Sequence, residues 1–169
     1  MEEEFERIVR DYQHKIFRLA FSMLGDRTAA EEAAQDALVR VWKGLRGFRA
    51  ESSLSTWIYS ITRNACLTAL SRGRLRTASL DDAAPRREVE RRTAAGWFAP
   101  ESPDAAALLD RLPAKYRQVV TLFYMQEKSY DEVAAMLALP VGTVKTYLFR
   151  ARKSLAEDLT RDRVRKGGA

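Results

Sequence analysis

A single cysteine and a single histidine are all that this 169-residue chain offers to chemistry that depends on thiols or imidazoles. Cys66 alone excludes an internal disulfide and leaves no Cys/Cys or Cys/His constellation for a structural zinc, so it reads as a small, half-buried residue. His14 lies near the apolar stripe of the first expected helix and takes a structural role there. No run approaches the roughly 18 uncharged apolar residues of a membrane span. The start, Met1-Glu2-Glu3-Glu4, is acidic where a signal peptide is basic, so a soluble, cytoplasmic protein without membrane insertion is expected. There is no nucleophile elbow, phosphate loop or zinc spacing. A metal-dependent nuclease needs carboxylates clustered in a cleft, and the obvious pair, Asp81-Asp82, sits in a linker-like stretch. The expectation is a non-enzyme with no catalytic residue, no metal site and no cofactor.

What the chain does have is 46% hydrophobic residues and a net charge of +6 that is unevenly spread. Residues 1–36 hold nine acidic against five basic side chains, whereas residues 37–76 hold eight basic against one acidic. Residues 77–127 are near neutral, with seven basic and eight acidic, and residues 128–155 return to five basic against two acidic. Two basic blocks around a neutral spacer make a polyanion-binding candidate. Ordinary solvated helix faces give the same count, and charge alone does not separate the two readings.

The apolar periodicity is helical, with no internal repeat and no strand-like alternation, so the fold class expected is all-α. A first helix over about Glu3–Leu24 carries Phe5, Ile8, Val9, Tyr12, Ile16, Leu19 and Ala20 on one side, and Gly25-Asp26 supplies the stop. A second helix from about Thr28 buries Ala30, Ala34, Ala37, Leu38, Val41 and Leu45. That leaves Glu31, Glu32, Gln35, Asp36, Arg40 and Lys43 pointing mainly away from the core. A loop through Gly44, Gly47 and Arg49–Ser53 leads to a third helix over about Ser53–Ser71. Leu54, Trp57, Ile58, Ile61 and Ala65 face its core, and Tyr59, Arg63 and Leu67 face outward.

From about Thr77 to Pro103 the pattern gives way to Asp81-Asp82, Pro85, Arg86-Arg87, Arg91-Arg92, Gly96 and Pro100. This is a flexible linker between two small helical domains, 1–76 and 104–169; as a coil it spans on average ~30 Å. The second domain resumes with helices over about Asp104–Leu112 and Pro113–Gln126, Pro113 suiting a first helical turn. Ser129-Tyr-Asp-Glu132 is a capping box that starts a short helix with Val133, Ala134 and Leu137 inward. After the turn Ala138-Leu139-Pro140, a longer helix from Val141 to about Leu155 clusters Val141, Val144, Leu148, Ala151 and Leu155 on one side. Gly142, Lys145, Thr146, Phe149, Arg150 and Lys153 occupy the other. Short helix, tight turn and longer helix match a helix-turn-helix, and the polar face suits a recognition helix. Lys and Arg neutralise phosphates or donate to guanine, Thr bonds a base or phosphate, and Phe covers a thymine methyl or a sugar. Any helical hairpin with a basic outer face shares these features.

The sequence of residues 129–155, with Gly142-Thr143-Val144 followed by Arg150-Ala151-Arg152, resembles the C-terminal promoter-recognition domain of extracytoplasmic-function sigma factors, and Leu112-Pro113, Tyr116, Arg117 and Leu122 resemble its preceding helix. The resemblance implies that Lys145, Thr146, Phe149 and Arg150 read the minus-35 element while Arg152 and Lys153 hold phosphates. Glu31-Glu32-Ala-Ala-Gln35-Asp36-Ala-Leu38 through Trp42 resembles the family's polymerase-binding helix, with Glu32 where Asp is usual and Leu38 where Phe is usual. This assigns Glu31, Glu32, Gln35, Asp36 and Leu38 to core RNA polymerase. Phe48, Arg49, Glu51, Ser52 and Ser53, followed by Tyr59, Arg63, Asn64 and Leu67, resemble the loop and helix that handle the minus-10 element. Strand opening costs unpairing and unstacking, offset when a protein pockets one extruded base and covers others with apolar or aromatic faces. Arg72, Arg74 and Arg76 continue that cationic surface, and Trp57 is assigned to the core.

Covering about residues 5–76 and 104–158, the resemblance implies a sigma factor for promoter-specific initiation. Its expected partners are core polymerase, promoter DNA and an anti-sigma factor that occludes both domains until a stress signal arrives. The alternative is a stand-alone helix-turn-helix repressor, which accounts for the C-terminal half and leaves the acidic-then-basic N-terminal module without a purpose.

Overall fold

The structure, a computed structural model, describes residues 1–78 and 103–167. The chain divides into two units, Met1–Ala99 and Pro100–Ala169. All elements among the described residues are helical. Most of the expected linker, residues 79–102 with Asp81 and Asp82, lies outside the described residues.

In the first unit, α1 (Glu2–Leu24) opens with Glu2, Glu3 and Glu4 in its first turn, where negative charge suits the positive end of the helix dipole. It closes at Gly25, left-handed at φ 68°, whose N–H returns to the Phe21 carbonyl at 2.9 Å. Asp26 then caps α2 (Arg27–Gly44) by accepting the Ala29 N–H at 2.7 Å. After a 3-10 turn (Leu45–Gly47) and a loop, Ser53 accepts the Thr56 N–H at 3.1 Å and starts α3 (Leu54–Ala78). This helix runs past the expected stop at Ser71, so Thr77 and Ala78, read as linker, are helical.

The three helices pack against one another. Ala30, Ala33, Ala34 and Ala37 of α2 are each at most 7% exposed, and such small side chains let helix axes approach closely. Ile8, Ile16, Val41, Leu45 and Ile58 form the main apolar cluster, with Trp57 and Leu38 packed partly buried against it. Ala20, Ala30, Ala33 and Cys66 form a second cluster. Cys66 is therefore fully buried, not half-buried, and loss of hydration pushes its thiol up to about 12, which keeps it protonated. His14 lies on the exposed side of α1, away from the stripe.

Tyr59 corrects the sequence reading more sharply. Expected on the outward face of α3, it is 0% exposed, with its ring edge-on to Tyr12 at 6.5 Å. Because α1 and α2 both pack on α3, the buried arc of α3 is wider than a single stripe and takes in Ile58, Tyr59 and Thr62 together. Burial raises the Tyr59 phenol well above its ordinary value, with Tyr12 adding to the rise and Arg18 opposing it.

The second unit contains α4 (Pro103–Asp110), α5 (Ala114–Val120), a π turn (Thr121–Met125), α6 (Tyr130–Leu137) and α7 (Val141–Gly167). Pro113 is the residue before α5 instead of its first helical residue. The expected continuous helix to Gln126 instead widens into the π turn, closed by Glu127 at φ 52° and by Lys128 N–H to the Leu122 carbonyl at 3.1 Å. Leu112, Val119, Leu122, Val133, Met136, Leu137, Val144, Leu148 and Ala151 make the core. α7 runs 12 residues past the expected end at Leu155, and Asp162 on this extension pairs with Arg111 at 2.8 Å.

The capping box forms in both directions: Ser129 Oγ accepts the Glu132 N–H at 3.2 Å and Glu132 Oε2 accepts the Ser129 N–H at 2.9 Å. Ala138, left-handed at φ 51°, ends α6, and the Leu139 N–H reaches back to the Ala134 carbonyl at 2.9 Å. The Pro140 carbonyl then accepts the Thr143 and Val144 N–H groups at 3.0 and 3.2 Å, starting α7. The chain bends by 104° between α6 and α7, within the range of a helix-turn-helix.

Tyr59→Ala empties a closed site and lowers stability by about 3–5 kcal/mol in urea unfolding, whereas Phe149→Ala changes it by less than about 0.5 kcal/mol. At Gly44 an added Cβ meets the Trp57 ring at 3.0 Å, so Gly44→Val costs about 1–3 kcal/mol by overpacking; Gly47→Ala, with nothing within 4 Å of its Cβ, serves as the control. Ala138→Gly relieves a left-handed alanine and raises the melting temperature, a gain of about 0.5–1 kcal/mol.

Candidate nucleic-acid interface

Burial of Val144, Leu148 and Ala151 sets the rotation of α7, and a 100° step per residue then dictates what faces water. Lys145, Thr146, Phe149, Arg150, Arg152 and Lys153 are all exposed. Phe149 is 64% exposed, a cost in hydration that nothing in the fold of this unit requires. The Thr146 hydroxyl donates to the Gly142 carbonyl at 2.9 Å, which leaves its oxygen as an acceptor for a base amine. Lys145 Nζ lies 5.5 Å from the centroid of the Tyr130 ring. The six residues therefore share one surface: acceptor, aromatic face and cations, the set that base edges, a thymine methyl and phosphates call for.

On the first unit the loop before α3 is exposed at Arg49, Ala50, Glu51, Ser52 and Ser53, with Ala50 left-handed at φ 55°. Phe48 anchors it, its ring 4.9 Å from Trp57. Ser53 is occupied as the cap of α3, its Oγ 2.8 Å from Thr56 Oγ1 and 3.1 Å from Ser55 Oγ. Ser52 Oγ donates to the Ser53 carbonyl at 3.4 Å, so Ser52 has the looser hydroxyl. Asn64 and Leu67 are exposed, Leu67 at 40%, and Arg63 is half-buried and donates to Asn64 Oδ1 at 3.3 Å. Arg72 is exposed as well. Tyr59 drops out of this surface, because a fully buried ring reaches no base.

The outward side of α2 carries Glu31, Glu32 and Gln35 exposed, Asp36 half-buried, and Leu38 half-buried at its margin. Glu31 pairs with Arg27 and Asp36 with Arg40, each one turn apart on the helix, at 2.8 and 2.7 Å. Exposed pairs of this kind hold by only about 0.3–0.5 kcal/mol, weak enough for a partner to displace. Two residues of this face lie in the resembling stretch without having been assigned a contact: Val39, 49% exposed, and Trp42, 37% exposed with Phe5 edge-on at 4.8 Å. Their positions four and seven after Gln35 were the available signal. Among the described residues no group of three or more His, Cys, Asp or Glu side chains is placed to hold a metal, and no single helix is long and apolar enough to cross a membrane.

Residues 8–76 match the family described as Sigma-70 region 2, and residues 104–155 match Sigma-70 region 4. The chain is 33% identical over 171 aligned positions to the ECF RNA polymerase sigma factor SigW of Bacillus subtilis, covering 94% of this chain and 90% of that protein. It is 33% identical over 167 positions to the RNA polymerase sigma-H factor of Pseudomonas aeruginosa, covering 92% and 86%. Among solved structures it is similar in fold to the sigma factor RpoE in complex with the anti-sigma factor NepR from Bartonella quintana. The TM-score is 0.74 and the identity 24%, over 95% of this chain and 99% of that one. With both regions matched on one chain in the order of its two helical units, and with full-length relatives above 30% identity, the protein belongs to the extracytoplasmic-function family of RNA polymerase sigma factors.

Proposed function

We propose that this sigma factor binds core RNA polymerase and captures the minus-10 element through residues 1–76, and reads the minus-35 element through residues 104–169. The observation that carries the reading is the face of α7 on which Phe149, 64% exposed, stands amid Lys145, Thr146 and Arg150, behind a helix that the core holds at a fixed rotation. On that face Arg150 and Lys145 donate to base edges, Phe149 covers a thymine methyl, and Arg152 and Lys153 hold phosphates. In the first unit Phe48, Arg49, Glu51, Ser52, Ser53, Arg63, Asn64 and Leu67 form the surface that receives the opened strand. Tyr59 acts there only by supporting α3 from beneath. Glu31, Glu32, Gln35, Asp36 and Leu38 dock polymerase, with Val39 and Trp42 adding apolar contact.

The protein acts in the cytoplasm, as a regulator of initiation without chemistry of its own. An anti-sigma factor is its further partner, a reading supported by the RpoE–NepR complex, and masks these faces before a stress signal. A repressor reading leaves the region 2 match without a role. A gel shift separates the two: a sigma factor binds promoter fragments tightly only with core polymerase present, a repressor binds a palindrome alone.

The direct test is run-off transcription from genomic fragments with purified core polymerase, and absence of transcription from every fragment sinks the reading. Arg150→Ala weakens promoter binding by the holoenzyme, by about 1–3 kcal/mol or roughly 5- to 150-fold, and leaves association with core unchanged. Asp36→Arg does the reverse, reducing association with core in a pull-down. Loss of core binding in Arg150→Ala would show that the faces are misassigned.

A further inference from the structure

We propose that Tyr130 is a positioning residue for promoter recognition: its ring, seated on Phe123, holds the Lys145 ammonium in place on the reading face of α7. The inference rests on the minus-35 reading above and names a residue outside the recognition helix. Three side chains from three successive elements make a stack. Phe123 comes from the π turn, Tyr130 is the first residue of α6, and Lys145 lies in the second turn of α7. The Phe123 and Tyr130 rings are 4.8 Å apart and only 13° from parallel, and Lys145 Nζ lies 5.5 Å from the Tyr130 centroid, within cation–π range. Tyr124 adds an edge contact to Phe123 at 4.9 Å.

The core of the second unit does not call for this ring. Val133, Ala134, Met136 and Leu137 are the buried residues of α6, while Tyr130 is 36% exposed. Its backbone is nonetheless fixed, because it follows Ser129 directly and the capping box locks that turn. Lysine is a compact charge on a flexible four-carbon stem and lacks the planar fork that orients arginine, so its direction has to come from a neighbour. A carboxylate in that place would neutralise the charge and compete with phosphate. An aromatic face orients the ammonium and leaves its charge for DNA. The widened backbone at Thr121–Met125, closed by left-handed Glu127, holds Phe123 where its ring meets Tyr130.

The test uses holoenzyme reconstituted from core polymerase and full-length chains, on the fragment that gives the strongest run-off, with promoter affinity measured for single and double variants. Tyr130→Leu weakens binding by about two- to five-fold, the factor that a partly exposed cation–π contact supplies. Tyr130→Phe, which keeps the ring, restores wild-type binding. In a Lys145→Ala background Tyr130→Leu has no further effect, since the two residues act as one unit. Each chain is melted beforehand, and Tyr130→Met replaces Tyr130→Leu if the latter lowers the melting temperature. Additive losses at the two positions overturn the positioning role while leaving Lys145 a DNA contact. Equal losses for Tyr130→Phe and Tyr130→Leu also overturn it, placing the effect in the phenol hydroxyl. A Lys145→Ala holoenzyme with unchanged affinity removes both this inference and the minus-35 reading of Lys145.

Discussion

Burying Val144, Leu148 and Ala151 on one side of α7 leaves that helix no rotational freedom, and every residue of the proposed reading face inherits its direction from this burial. The same constraint operates in α2, where Ala30, Ala34, Ala37 and Val41 face inward and Glu32, Gln35 and Val39 therefore face outward. Both functional faces are the reverse sides of buried stripes. Displacing a stripe residue would turn the face with it, so core packing and recognition are one problem in each helix.

Local devices supply what the stripes cannot. The reciprocal Ser129–Glu132 cap, the left-handed Ala138 and the Pro140 carbonyl together set where α6 begins, where it ends and where α7 starts, and hence the 104° bend. Alanine at the left-handed position is strained by about 1–2 kcal/mol relative to glycine, a load borne by the Schellman bond from Leu139 to Ala134 and by the buried Leu137 beside it. The π turn before α6 is a second departure from ideal helix, and it carries the ring that supports Tyr130.

Charge is handled differently on the two faces. On α2 the acids Glu31 and Asp36 are met by Arg27 and Arg40 of the same helix, pairs weak enough to exchange for a partner. On α7 the cation Lys145 sits over the Tyr130 ring. The former suits the proposed protein-docking role of α2, the latter the proposed polyanion-binding role of α7.

Much of this was written in the chain itself. Helix-period apolar residues, Gly25-Asp26, the Ser129–Glu132 box and Ala138–Pro140 state the all-α class, most helix starts and stops, and the polar face of α7, because capping and amphipathicity are local rules that act within four residues. The length of α3 and of the α7 extension was less legible: their last turns lack apolar periodicity, and on α7 the extension is tied back by the Arg111–Asp162 pair across 51 positions. The break of α5 into a π turn and the burial of Tyr59 were not legible at all, and Cys66, read as half-buried, is fully buried. A helix wheel assumes one partner surface, whereas α3 packs against both α1 and α2, and the second contact swallows residues that the wheel turns toward water. The Phe123–Tyr130–Lys145 stack likewise exists only once three elements meet in space, since no spacing along the chain encodes a ring lying under a lysine fifteen residues away.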